Sequence, residues 1–372
     1  MRQSVGEKEV ADMKILQVVP YFLPAYAFGG PVKVAYQVSR ELVRRGHEVV
    51  VYTSDAKDFG SRLRIDSDND VDGIRVRYFR NLALTLVKKF KLFITSQLVS
   101  HAKEEVKKFD VIHLHEYRTF QNIVVAHYAK KYGVPYVLQA HGSLPRIMDK
   151  QRLKWIYDVF FGYRLLRDAS KVIALSRVEA EQYMAMGVPD EKIEIIPNGI
   201  DLSEYANLPS RGCFKKKFNI DEDKKIILYL GRIHKTKGID FLIKTYARLI
   251  KDLKFKDGLL VVAGPDDGYL GEAKSLVSAL GVSDRVSFTG LLAEHEKASA
   301  FVDFSFVVSP ERLNVFLLVP LEAAACGKPV IVSNTNYISH MIREGEFGFS
   351  VEYGDVNELT EITHKNALTM TC

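Results

Sequence analysis

Two cations bracket a short segment of this chain, Gly231-Arg232-Ile233-His234-Lys235-Thr236-Lys237-Gly238, which follows an apolar run and leads into a helical pattern. Arg232 and Lys237 beside a helix N-terminus form the kind of pairing that attracts phosphate oxygens, because guanidinium and ammonium donors add to the outward N–H groups of the helix end. Two solvated charges would look the same in isolation. A second helix start lies further on, in Phe316-Leu317-Leu318-Val319-Pro320-Leu321-Glu322-Ala323. Proline is pre-set for a first helical turn. Glu322 is the only acid of that turn, and it either complements the helix dipole or accepts hydrogen bonds from sugar hydroxyls. The residues before it, Leu317 and Leu318, would offer backbone N–H groups to an anion.

Other candidates sit where an apolar run ends. His141-Gly142 follows Tyr136–Ala140, so His141 could meet a substrate hydroxyl or move a proton. Gly29 and Gly30 precede a helical pattern and would let backbone approach a phosphate or sugar closely. Gly264 opens the turn Gly264-Pro265-Asp266-Asp267-Gly268. His113 and His115 alternate onto one face of a strand, as a metal pair or as a polar layer; no third ligand is apparent.

These residues need a scaffold that gathers them. Short β-branched runs (Ile15–Val19, Val49–Thr53, Val111–His115, Tyr136–Gln139, Val172–Leu175, Ile226–Leu230, Leu259–Ala263, Phe304–Val308, Val330–Ser333) alternate with amphipathic stretches such as Val32–Arg45, Phe241–Ile250 and Ala273–Leu280. This alternation predicts parallel sheets covered by helices. In such α/β sheets ligands lie beyond the carboxyl ends of the strands, so every loop that follows a strand is a candidate. At 372 residues the chain exceeds what one core usually holds. We place a connector at Ile196-Pro197-Asn198-Gly199-Ile200-Asp201. This divides the chain into a polar, aperiodic and disordered extension (1–12), an N-terminal Rossmann-like domain (13–197) and a C-terminal one (198–372), facing across a cleft.

The net charge of +6 with pI near 8.9 suits anionic ligands. The sequence lacks the dense basic runs of a nucleic-acid binder. Three cysteines without paired spacing indicate a reducing compartment. No apolar run is long enough to span a bilayer. A cytoplasmic location is expected. Leu84–Lys91 and Lys150–Arg167 interleave aromatics with lysines and arginines, either as ordinary helices or as a peripheral contact with an anionic membrane surface.

In their order along the chain these pieces resemble the GT-B glycosyltransferases, close to the family 4 retaining enzymes that use nucleotide-sugar donors. They are Gly29-Gly30, Asp110–His115, His141-Gly142, Ile196–Asp201, Gly231-Arg232 with Lys237-Gly238, Phe288-Thr289-Gly290, and Pro320–Ala323 with Cys326-Gly327-Lys328-Pro329-Val330. The resemblance runs from about Met13 to Val356. It implies a hexosyltransferase that retains configuration and moves sugar to a glycan or lipid-linked acceptor, without metal or other cofactor. Arg232 and Lys237 would neutralise the donor diphosphate, Glu322 would hold the ribose, and Leu317 and Leu318 would meet phosphate. Gly29 and Gly30 would close over the donor, and His141 would touch the transferred sugar. Gly264, Phe288 and Thr289 would lie beside the base.

Three departures stand out. The acid usually found eight positions before the ribose-binding one is Asn314 here, and Glu311 lies out of register with it. A glycine of that loop is Leu317, which puts a side chain where the sugar would approach. The chain also stops at Cys372 with no amphipathic helix of useful length after Val356, as if shortened. A catalytically impaired relative, or a nucleotide-sugar 2-epimerase, are the competing expectations.

Overall fold

The computed structural model describes residues 12–64, 66–147, 150–253, 255, 257–312 and 316–369. Of the expected extension over 1–12, all but Asp12 lies outside these residues, as does Asn314. The chain divides into two compact units after Ile196.

Among the described residues, the first unit carries eight strands: β1 (Lys14–Val18), β2 (Glu48–Ser54), β3 (Asp68–Val71), β4 (Ile74–Phe79), β5 (Val111–His115), β6 (Tyr136–Gln139), β7 (Lys171–Ala174) and β8 (Ile193–Ile195). They lie in the order β3-β4-β2-β1-β5-β6-β7-β8. All pairings are parallel except β3 with β4, a hairpin turned by Asp72-Gly73, both at positive φ. Burial of the central strands on both sides explains their near-continuous Val and Ile runs: Val49, Val51 and Val76 face one cluster, Leu16, Val50 and Ile112 the other.

The second unit is a six-stranded parallel sheet: β9 (Lys225–Leu230), β10 (Gly258–Ala263), β11 (Val286–Gly290), β12 (Phe306–Ser309), β13 (Val330–Ser333) and β14 (Gly348–Val351), in the order β11-β10-β9-β12-β13-β14. Strand order reverses between β9 and β12, and in the first unit between β1 and β5. The loops leaving these strands diverge to opposite faces, which opens the crevice where such sheets bind ligands.

One expectation is corrected. The end of the described chain is helical, Val356–Thr369, and packs on the helix Ile239–Lys251. Its buried face is Leu359, Thr360, Thr363 and Asn366, at helical spacing but mostly polar. The Thr360 hydroxyl donates to the Val356 carbonyl at 2.5 Å and the Asn366 amide to Ile362 at 2.7 Å, so these two side chains enter the core hydrogen-bonded, whereas the buried Thr363 hydroxyl has no partner among the described residues. A hydrophobic stripe does not reveal such a helix.

Candidate functional site

In the second unit the loop after β9 turns through Lys235–Lys237 and meets the helix Ile239–Lys251 at Gly238, which is left-handed (φ 66°). A Cβ on Gly238 would sit 1.9 Å from the Pro310 carbonyl oxygen, so only glycine lets the loop after β12 press against this one. The Arg312 N–H donates to the Thr236 carbonyl at 3.0 Å and fastens the two loops. Gly264, at the end of β10, plays the same part toward Gly231. Its backbone N–H donates to the Gly290 carbonyl at 2.8 Å, and an added Cβ would lie 1.8 Å from the Gly231 oxygen. The ends of β9, β10, β11 and β12 therefore converge, bringing together Arg232, Lys237, Gly264, Phe288 and Thr289.

Each cation there faces a carboxylate. Arg232 pairs with Asp267 at 2.6 Å, and Lys237 lies 3.4 Å from Glu311. The sequence reading set Glu311 aside as out of register; the structure buries it against Lys237. Burial holds the Lys237 ammonium below its usual pKa and pushes the Glu311 carboxyl up. Both shifts favour the neutral forms, and an incoming anion near Lys237 would favour the charged ammonium.

The helix Val319–Ala325 starts where Pro320 predicts, with Leu318 as its cap residue. Leu318 is buried, and Leu317 packs against the core cluster that holds Val307 and Ala323. Glu322 is wholly buried and its two oxygens lie 2.7 and 2.8 Å from Lys297, a partner the sequence reading missed.

In the first unit, Gly29 caps the helix Gly30–Arg44 at φ 87° and ψ −147°, a conformation open essentially to glycine. His141 follows β6 and also takes a positive φ, 53°. Its Nε2 lies 2.9 Å from His115 Nδ1, and His115 Nε2 lies 2.7 Å from Gln17 Oε1. The His113 ring lies against His115 with centroids 4.0 Å apart and planes tilted by 36°. The pair thus fills a polar layer. Desolvation lowers all three histidines, to about 4 for His113 and about 3 for His141, and keeps them neutral. The Gln17 carbonyl oxygen can only accept, so His115 carries its hydrogen on Nε2 and accepts at Nδ1 from His141 Nε2–H. That leaves His141 Nδ1 with its lone pair, an acceptor suited to a hydroxyl.

The His141-Gly142 turn is held from below by Glu179. Its carboxylate accepts the Gly142 N–H at 2.6 Å and the Leu175 N–H at 2.7 Å, while burial raises its pKa. A signal for it exists in the sequence, since Ser176-Arg177-Val178-Glu179 is a helix-capping pattern. Ser176 does cap the Glu179 N–H, but the glutamate reaches Leu175 and Gly142 instead of the cap residue.

Two family profiles match the chain in tandem: Glycosyltransferase Family 4 over residues 28–204 and Glycosyl transferases group 1 over residues 211–365. The chain is a GT-B glycosyltransferase of group 1. This glycosyltransferase is 27% identical over 359 residues to a D-inositol 3-phosphate glycosyltransferase of Gordonia bronchialis, covering 91% of this chain and 76% of that one. Among solved structures, it shares its fold with Anabaena HepE in complex with UDP and glucose, at a TM-score of 0.72 and 20% identity, over 95% of this chain and 89% of that one. Sucrose-phosphate synthase of Thermosynechococcus elongatus matches with a TM-score of 0.73 and 21% identity, over 96% and 90% of the two chains. Among the described residues, no group of three His, Cys, Asp or Glu side chains is placed to hold a metal ion. No described helix of the glycosyltransferase is long and apolar enough to cross a membrane.

Proposed function

We propose that this glycosyltransferase takes its sugar from a nucleotide-sugar donor and passes it to a hydroxyl of a glycan or lipid-linked acceptor with retention of configuration. The observation that carries the reading is the placing of Arg232 and Lys237 on the loop after β9, where strand order reverses in the second sheet, against Asp267 and Glu311 from two other loops. Diphosphate oxygens would draw both cations from Asp267 and Glu311, and the charge that grows on the leaving phosphate would be stabilised by donors already in place. Metal is then not required.

Glu322 would accept ribose hydroxyls while staying paired with Lys297. Gly264, Phe288 and Thr289 would border the base, and the N–H groups around Leu317 and Leu318 would meet phosphate. Gly29 and Gly30 would admit a close backbone approach, and His141 would accept a hydroxyl of the transferred sugar at Nδ1. In the reaction, the acceptor oxygen bonds to the anomeric carbon on the face from which the diphosphate departs. The departing phosphate oxygen takes the acceptor's proton, so no nucleophile and base pair is needed from the chain.

The test is incubation with a panel of UDP-, GDP- and ADP-sugars, following nucleotide release and then sugar transfer. Release with one donor class and an axial product linkage from an axial donor supports the reading. Nucleotide binding without release, or an inverted linkage, overturns it.

A further inference from the structure

The helical segment Gln151–Asp168, whose turn Asp158–Gly162 widens into a π-helix, buries only one of its sides. Asp158 is fully buried and receives both Arg118 nitrogens at 2.8 and 2.9 Å, with Arg146 at 3.2 Å. Gly162 lies so close to Tyr117 that a Cβ would fall 2.2 Å from its hydroxyl. These contacts pin the inner side and fix what faces out. Leu153, Ile156 and Phe160, spaced as one stripe of a helix, are 55%, 43% and 66% exposed, with Trp155 beside them at 53%.

The stripe continues onto a second element. The Lys150 ammonium donates to the Lys89 carbonyl at 2.7 Å and lies 4.8 Å from the centre of the Phe90 ring, itself half exposed at the end of the helix Leu84–Phe90. The charge around this patch has one sign. Lys88, Lys89, Lys91, Lys150, Arg152 and Arg164 are exposed. Residues 82–94 contain no acid, and residues 150–167 contain only the buried Asp158. Of the acids next to these stretches, Asp149 lies outside the described residues and Asp168 is paired with Lys130 and Arg167.

We infer that this face of the first unit docks on an anionic lipid bilayer, with Leu153, Ile156, Phe160 and Phe90 entering the headgroup layer and the cations meeting lipid phosphates. A contiguous aliphatic and aromatic stripe ringed by lysine and arginine is the pattern that holds helices in a membrane interface. Isolated exposed hydrophobics need no such account. Here they are aligned and joined across two elements, and the described acids of the segment, Asp158 and Asp168, are each paired with cations. The inference deepens the acceptor side of the proposed function and rests on that reading only for which substrate the surface serves, since a membrane-docked transferase would meet lipid-linked acceptors in two dimensions.

The experiment is co-sedimentation of the full chain with vesicles of phosphatidylcholine alone or mixed with phosphatidylglycerol. Binding should be stronger to the mixed vesicles by about tenfold or more and should weaken with salt. The double change Ile156→Ser with Phe160→Ser, and separately Lys89→Ser with Arg152→Ser, should each weaken it by about tenfold. Equal or no binding to the two vesicles overturns the inference, as does unchanged binding of both variants. Dissociation of a dimer on changing Phe160, seen by sedimentation velocity, also overturns it and assigns the face to a second copy. Nucleoside diphosphate affinity, measured on the same variants, should stay unchanged. Loss of vesicle binding with that affinity intact separates this surface from the donor site, and an inactive donor site would leave the vesicle result standing.

Discussion

Acidification should weaken the first unit through His113, and the size of the effect follows from its burial. The imidazole is desolvated on the face it shares with His115, and its pKa falls from 6.5 to about 4. A histidine free in the unfolded chain binds a proton near pH 6.5, whereas the folded one refuses it until about pH 4. The depressed folded value means that the stability is fully present above 6.5 and is lost as pH falls toward about 4. Within that window one proton more is bound by the unfolded state, which corresponds to a slope of about 1.4 kcal/mol per pH unit from this residue alone. His115 adds to the slope with the same sign, and Glu179, with its raised pKa, opposes it. The assay must therefore compare slopes. Urea unfolding of the native chain and of His113→Gln, followed by hydrogen exchange of first-unit amides at several pH values, should give lines that converge as pH falls, the native one steeper by about 1.4 kcal/mol per unit. Parallel lines would refute the argument, because they would mean that His113 takes up its proton in the folded state.

Arg232→Ala and Lys237→Ala should each weaken nucleoside diphosphate binding by about 1.5–3 kcal/mol, read by calorimetry, with both effects shrinking at high salt. Lys297→Ala leaves the buried Glu322 without its cation and should cost about 3–5 kcal/mol of second-unit stability; Lys297→Met with Glu322→Gln should recover much of it. Gly264→Ala forces a Cβ to within 1.8 Å of the Gly231 oxygen and should reduce nucleotide affinity, by moving the Arg232 loop, together with about 1–3 kcal/mol of stability. Glu179→Gln keeps the shape but replaces one acceptor of the Gly142 and Leu175 N–H groups with an amide. Transfer rate should fall while diphosphate affinity holds, which kinetics and calorimetry together would show.

Much of this architecture was legible because parallel strands buried on both sides leave long β-branched runs, as at Val49–Thr53 and Ile226–Leu230. The hairpin of β3 and β4 was missed despite its Asp72-Gly73 turn, because β3 is nearly all polar (Asp68-Asn69-Asp70-Val71) and Arg75 and Arg77 break β4, so neither shows a continuous β-branched run. The final helix was hidden by threonines and an asparagine on its inner face. At the site, the cations and glycines were readable from loop position. Their partners were not, since nothing local in the sequence ties Asp267 to Arg232, Glu311 to Lys237 or Lys297 to Glu322. Those pairings arise only when loops distant in the chain are laid side by side by the sheet.

The two carboxylates beside Arg232 and Lys237 act as resident counterions. Binding at such a place is an exchange and not a simple addition: Asp267 and Glu311 must give up their partners before an anion gains them. A single weak anion, such as chloride, gains too little to displace either. On the proposed reading, a ligand bearing two linked phosphates would release both at once, so the chain's own acids would set a threshold that favours diphosphates over lesser anions.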